Sequence, residues 1–243
     1  MDVVEQERRS ETSAIQRLEH RAPRSAGVAG IAFSILFVAS VVAASQRPPA
    51  GLDAAGLVAW FETTAKVPMT IAALYLAPFA GITFLWFIGV VRDRIGQHED
   101  RFLATVFLGS GLLFVAMYWS GAAQVASLVA NNRFDSAPPL TAVTIEAARS
   151  AAFSYMFVMA ARAASVFILV TSTIIWRSGT FPRPLALAGF AIAIVMLLSL
   201  SLLQWIVMLF PAWVFVVSVI VLGQELRRGR SAAPQAAEAD SPR

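Results

Sequence analysis

Apolar residues in this chain come in long, nearly unbroken blocks. They show neither the strict alternation of a half-buried strand nor the single stripe of a soluble amphipathic helix. A hydrocarbon core about 30 Å thick takes roughly 20 residues of helix at 1.5 Å each, and six stretches meet that length. Four are separate: 27–45, 68–91, 102–130 and 147–176. The block that follows, 184–222, would extend roughly 58 Å as one helix, so it is expected to fold back as a hairpin. The break is expected between Gln204 and Pro211, where Gln204 and Trp205 suit an interface and the proline suits the first turn of a new helix. These elements predict an all-α fold, a polytopic transmembrane bundle of six spans over 25–226.

The polar segments fit around it. The tail 1–24 mixes five basic with five acidic residues, and the tail 227–243 turns into an Ala-, Pro- and acid-rich stretch from Ser231 that reads as disordered. The leader before the first span is longer than a signal peptide's charged region, and the apolar stretch is longer than its core, so the span is expected to be retained. Between the first two spans, "PPAGLDAAGLVAWFETTAK" predicts a short helix lying on the outer interface, capped by Asp53 and anchored by Trp60. Pro78 is expected to kink the second span and loosen a carbonyl near Tyr75. Trp119 stands out as a tryptophan near mid-span rather than at an interface belt.

Composition agrees with this class: 58% of residues are hydrophobic and 14% charged, too apolar for a soluble domain of this size. The basic residues fix an orientation. Arg8, Arg9, Arg17, Arg21, Arg24, Arg92, Arg94, Arg101, Arg177, Arg183, Arg227, Arg228 and Arg230 fall on one side of the six spans, and only Arg47, Lys66, Arg133 and Arg149 on the other. The positive-inside bias then places both termini in the cytoplasm of a multi-pass cell-membrane protein. It also accounts for the net charge of +4 and the pI near 10.3, without a nucleic-acid partner.

The chemistry inventory mostly excludes. With no cysteine there are no disulfides, thiolate metal sites or cysteine nucleophiles. His20 and His98 fall outside the spans, as does every Asp and Glu, with Glu146 at the outer mouth of the fourth span the deepest. No catalytic, cofactor-binding or metal-ligating set follows from such a pattern, so no enzyme and no cofactor is expected, and no carboxylate-coupled transport.

Two stretches carry resemblances. "GVVRDRIG", residues 89–96, resembles the loop that major facilitator transporters carry between their second and third spans. The residues that follow, Gln97, His98, Glu99 and Asp100, depart from that family's basic pattern, and six spans are half its number, so the stretch is read as a helix end closed by Gly96. More broadly, "FLWFIGVVRDRIG" with "EDRFLATVFLGSGLLFVAM" resembles a group of small bacterial polytopic integral membrane proteins with no assigned activity. That resemblance implies the six-span layout and nothing about a substrate.

One residue breaks the apolar pattern from within. Arg162, in "FVMAARAASVF", falls at the centre of the fourth span, about 15 Å from either interface and beyond snorkelling reach. A charge there costs about 2.5–3.5 kcal/mol on insertion scales. Its guanidinium should lean back toward Tyr155 and Met159. The polar groups predicted at that depth are Tyr75, Tyr118, Ser120, Gln124, Ser199 and Ser201, all neutral. Arg162, Tyr155, Tyr118, Gln124 and Tyr75 are therefore the candidate site for an anionic small molecule or lipid head group. Two functions follow: a small transport or lipid-handling protein with this polar site, or a structural or accessory subunit in which Arg162 is internal glue. The expected partners are membrane lipids and a homo- or hetero-oligomer.

Overall fold

The computed structural model describes residues 22–95, 101–130, 139–178, 182–199 and 204–239. Most of the N-terminal tail, Gly96 with the four residues after it, Ser201 and residues 240–243 lie outside these. The fold is all-helical, 92% helix with no strand among the described residues, so backbone polar groups pair within each segment as a bilayer demands.

Helix α1 (Ala22–Ala44) ends before a diproline turn in which Gly51 takes φ +81°, a left-handed value that glycine adopts without penalty. A continuous helical rod follows: α2 (Ala54–Trp60), α3 (Lys66–Ile71) and α4 (Ala77–Ile95), joined through π-helical turns at Phe61–Ala65 and Ala72–Leu76. Helix α5 is Arg101–Ala130. A second rod comprises α6 (Ala142–Phe153), a π-helical turn at Ser154–Ala160, and α7 (Ala161–Ser178). Helix α8 is Arg183–Leu198, and a 3-10 turn at Gln204–Met208 leads into α9 (Leu209–Ala239). Five helical segments are long and apolar enough to cross a membrane: Gly27–Ala44, Ala54–Arg92, Arg101–Ala130, Ala142–Ser178 and Trp205–Gln224. The sixth expected span, α8, is apolar but has 16 residues, roughly 24 Å, short of the usual crossing length.

Two expectations are corrected. The outer segment around Trp60 is helical and is capped by Asp53, whose carboxylate accepts from Gly56 N–H at 2.8 Å, but it does not lie apart on the interface. It runs straight into the second span as the top of a 39-residue helix, roughly 58 Å long, and packs upright against α5 and α6. The hairpin break also falls earlier than Gln204–Pro211. Helix α8 stops at Ser199, whose backbone turns extended, and Gln204–Met208 already belongs to the 3-10 turn. At the far end the α9 backbone stays helical to Ala239, past Ser231. The alanines of that stretch favour helix.

The π turns have a cause in the sequence. Leu57, Phe61, Ala65, Met69, Ala73 and Ala77 are all buried, one every four residues. At 3.6 residues per turn those five steps would carry the buried face roughly 200° around an α-helix. Each π turn takes up one extra residue, roughly 100°, so two of them hold the six side chains on one face. Pro68 and Pro78 each follow a π turn, where a wider turn also makes room for the ring and the missing N–H. Beside the second, the Ala77 carbonyl accepts the Trp119 indole N–H at 3.2 Å. Gly81 is what admits that indole, because a Cβ there would lie 2.2 Å from Trp119 Nε1.

Helix α1 packs between α4 and α9, α5 between α4 and α7, and α8 along α7. Their shared core is a cluster of phenylalanines. Phe210 of α9 lies within 6.4 Å, ring centre to ring centre, of Phe33, Phe37, Phe84, Phe114 and Phe167. Helices α1 and α9 run antiparallel and very close. Gly30 faces Ser218, Gly27 faces Leu222, and the Ser34 hydroxyl donates to the Pro211 carbonyl at 2.9 Å. The lower end of α1 therefore meets the far part of α9 at one end of the bundle. A smaller cluster, Leu57, Phe61, Ala65 and Met69 against Val125, Leu128, Ile145 and Ala148, builds the other end, where the two long rods overshoot.

Candidate functional site

Between the two clusters the helices separate around a cavity of about 430 Å³. Four segments wall it: the end of α1 with the loop to Pro48, the first long rod from Met69 to Ala77 about its second π turn, α5, and the α6 rod with its π turn. Small side chains leave the space. Ala72, Ala73, Ala77, Gly121, Ala122 and Ala152 all line it where larger residues would fill a packed core. The rest of the wall is apolar, with Val41, Met69, Val125, Phe153, Met156 and Phe157.

Its polar groups gather at two levels. Deep in the cavity the buried Tyr118 hydroxyl and Ser40 hydroxyl share a hydrogen bond of 2.5 Å, so each satisfies the other. At the rim stand Arg149, Gln46 and Arg47. Arg149 comes from α6, whose start is fixed by a capping box of Thr141 and Thr144. Its guanidinium is partly buried, donates to the Gln46 carbonyl at 2.9 Å and lies 5.4 Å over the Trp60 ring. Those two contacts hold it across the rim. Among the described residues it has no carboxylate partner, and Glu146, about one turn earlier, is exposed and makes no ion pair with it. A fixed cation at the mouth of an apolar cavity suits a ligand with an anionic head and an apolar body.

The five candidate residues read from the sequence are not assembled into one site. Tyr118 lines the cavity. Tyr75, on the second π turn, is 58% exposed and faces away. Gln124 is partly buried on α5 and Tyr155 packs near Gly121, but neither is among the lining residues. Arg162 is also absent from the lining. Its guanidinium does lean back along its helix and donates to the Val158 carbonyl at 2.9 Å, just where the π turn gives way to α7. It stands in a row of residues that are not buried, with Met159 of the π turn and Val166, Leu169, Thr173 and Trp176 of α7. That row is the least buried side of the rod, so Arg162 is half-buried at the bundle's outer side rather than sealed inside it. Its depth follows from two anchors on α5: Gly121 packs against Tyr155, and Gly111 against Phe167. Arg162 lies between them, level with Phe114, whose ring meets Phe33 and Phe37 at the middle of α1.

Arg149, Gln46 and Ser40 are the cavity residues the sequence reading passed over. Arg149 reads in the sequence as a flanking charge, yet its helix begins roughly two turns further upstream at Ala142, apolar but for Thr144 and Glu146. An arginine set one-fifth of the way into a helix is the signal. No protein-family model, curated protein or solved structure matches this chain.

Proposed function

We propose that this is a six-span protein of the cell membrane, both termini cytoplasmic, that handles an amphiphilic anion by seating its apolar part in the outer cavity and its head on Arg149. It is thus a small transport or lipid-handling protein, with the site at Arg149 rather than Arg162. The observation that carries the reading is the rim arginine, which has no carboxylate partner among the described residues and stands at the mouth of a mostly apolar cavity. The volume supports it, since small-molecule sites run from about 300 to 1,000 Å³. The ligand class is that of a single-chain carboxylate or one acyl chain of an anionic lipid. The orientation rests on the arginine bias and on the antiparallel packing of α1 with α9, which brings the Arg24 and Arg227 ends together.

Native mass spectrometry of the detergent-purified chain with a long-chain fatty acid tests the ligand reading. Wild type is expected to retain one equivalent. Arg149→Leu is expected to weaken retention tenfold or more, since a hydrogen bond to a charged group contributes about 1.5–3 kcal/mol. Ala122→Phe is expected to block it by filling the cavity. Retention that is equal in all three proteins excludes this site. The orientation is tested separately, since the chain has no cysteine of its own. A single cysteine replacing exposed Thr63 is expected to label from outside intact cells, and one replacing Ser178 only after permeabilisation. Labelling of both from one side contradicts the layout.

A further inference from the structure

We propose that the outward face of α7 around Arg162 docks a transmembrane helix of a different protein, one that carries an aspartate or glutamate at mid-membrane depth. The inference rests on the membrane-spanning reading but not on the cavity ligand, which lies on other residues.

Three observations lead to it. Arg162 is at the depth where a charge is most costly, level with Phe114 and the middle of α1. It is not sealed inside the bundle: Met159 before it is 51% exposed and Leu169 after it 38% exposed. Of its five N–H donors, one hydrogen bond is made among the described residues, to its own helix at Val158. Arg162 is half-buried, and in a bilayer its remaining donors would have no acceptor, an arrangement hydrocarbon disfavours, so an acceptor must come from outside this chain.

Charge decides the occupant. A second copy of the chain cannot supply the counter-charge, because all of its Asp and Glu residues fall outside the apolar stretches, the nearest in sequence being Glu146, sixteen residues or roughly 24 Å along the helix. A lipid head group is held at the interface, about 15 Å away, while the arginine side chain reaches about half of that. A carboxylate carried to mid-depth by another helix fits, and its own burial would be offset in the same contact by a planar guanidinium that can bind it through two parallel hydrogen bonds. The flanking residues suit a helix as well. Met159, Val166 and Leu169 flank the charge with apolar side chains that are not buried.

The test is site-specific photo-crosslinking with the full chain in its native membranes, the crosslinker replacing Met159 or Leu169. The expected product joins this chain to a different protein, within an apolar segment that carries Asp or Glu near its centre. Its yield should fall at least fivefold in Arg162→Leu, survive in large part in Arg162→Lys, and return in Arg162→Glu when the partner's acid is changed to arginine. Arg162→Gln, whose melting temperature in detergent should match wild type because only a bond to its own helix is lost, must show the same fall as Leu; this separates docking from folding. Adducts to lipid alone, to a second copy, or to a segment with no acid overturn the proposal, as does a yield indifferent to Arg162→Leu. Fatty-acid retention by these variants should equal that of wild type, so failure here and failure of the cavity reading are told apart.

Discussion

Changing Gly30 to valine is expected to lower the melting temperature of the purified protein by roughly 3–10 °C, the consequence of about 1–3 kcal/mol of overpacking. The position tolerates no side chain. An ideal Cβ there would lie 1.9 Å from Ser218 Oγ and 2.8 Å from the Phe87 ring. Both neighbours are fully buried, so neither can swing into open space. Helices in a bilayer gain nothing from hiding apolar surface that lipid would cover equally well; close contact of backbones is what holds them, and glycine facing serine provides it. The Ser218 hydroxyl makes no hydrogen bond among the described residues and lies against the Gly30 backbone, where a weak Cα–H···O contact is the interaction left to it. A double-mutant cycle checks the cause. Gly30→Ala should be rescued in part by Ser218→Gly, which clears the Oγ, whereas Gly89→Ala, with open space at its Cβ position, should be silent. Equal melting shifts at Gly30 and Gly89 would show that helix propensity rather than packing sets the cost.

How much of this was legible beforehand varies with the physics behind each feature. The third span reads as 102–130 in the sequence and is found as Arg101–Ala130, because bilayer thickness imposes a length that composition alone displays. The rod 54–95 was not legible as one piece. Asp53, Gly56, Lys66 and Pro68 punctuate it as local signals, and what overrides them is tertiary packing of Phe61, Ala65 and Met69 on Ile145 and Ala148. The four-residue spacing from Leu57 to Ala77 was present in the sequence, but it becomes a continuous face only once π turns are allowed. Arg162 is conspicuous because it is isolated in an apolar run, but its side of the helix shows only in the fold, where Ala161, Ala163 and Ala164 are buried and the arginine is left on the less buried side. The cavity was the least legible feature. It is made by small residues from four elements that are distant in sequence, and a missing side chain leaves no mark of its own.

The Phe210 cluster should be the most sensitive point of the core, and Phe210→Ala is expected to cost about 3 kcal/mol, the low end of the range for phenylalanine truncation in proteins. The low end applies for a physical reason. In water, part of that range is the transfer of apolar surface from solvent; within lipid the separated helix is also in an apolar medium, so that part nearly vanishes. What remains is the loss of close-packed contacts and the void left behind. Phe210 makes the void a shared one, because its ring touches rings from α1, α4, α5 and α7 at once and no single neighbour can move in without leaving another. Phe215, five residues on, is 41% exposed on the same helix and serves as the control, since lipid replaces its lost contacts. Chemical or thermal unfolding of the two alanine variants in the same detergent measures the difference. Phe210→Ala should fall by several degrees while Phe215→Ala stays within about 1 kcal/mol of wild type. If the two lose equal stability, burial of apolar area rather than packing holds these helices together, and the central role of the phenylalanine cluster fails with it.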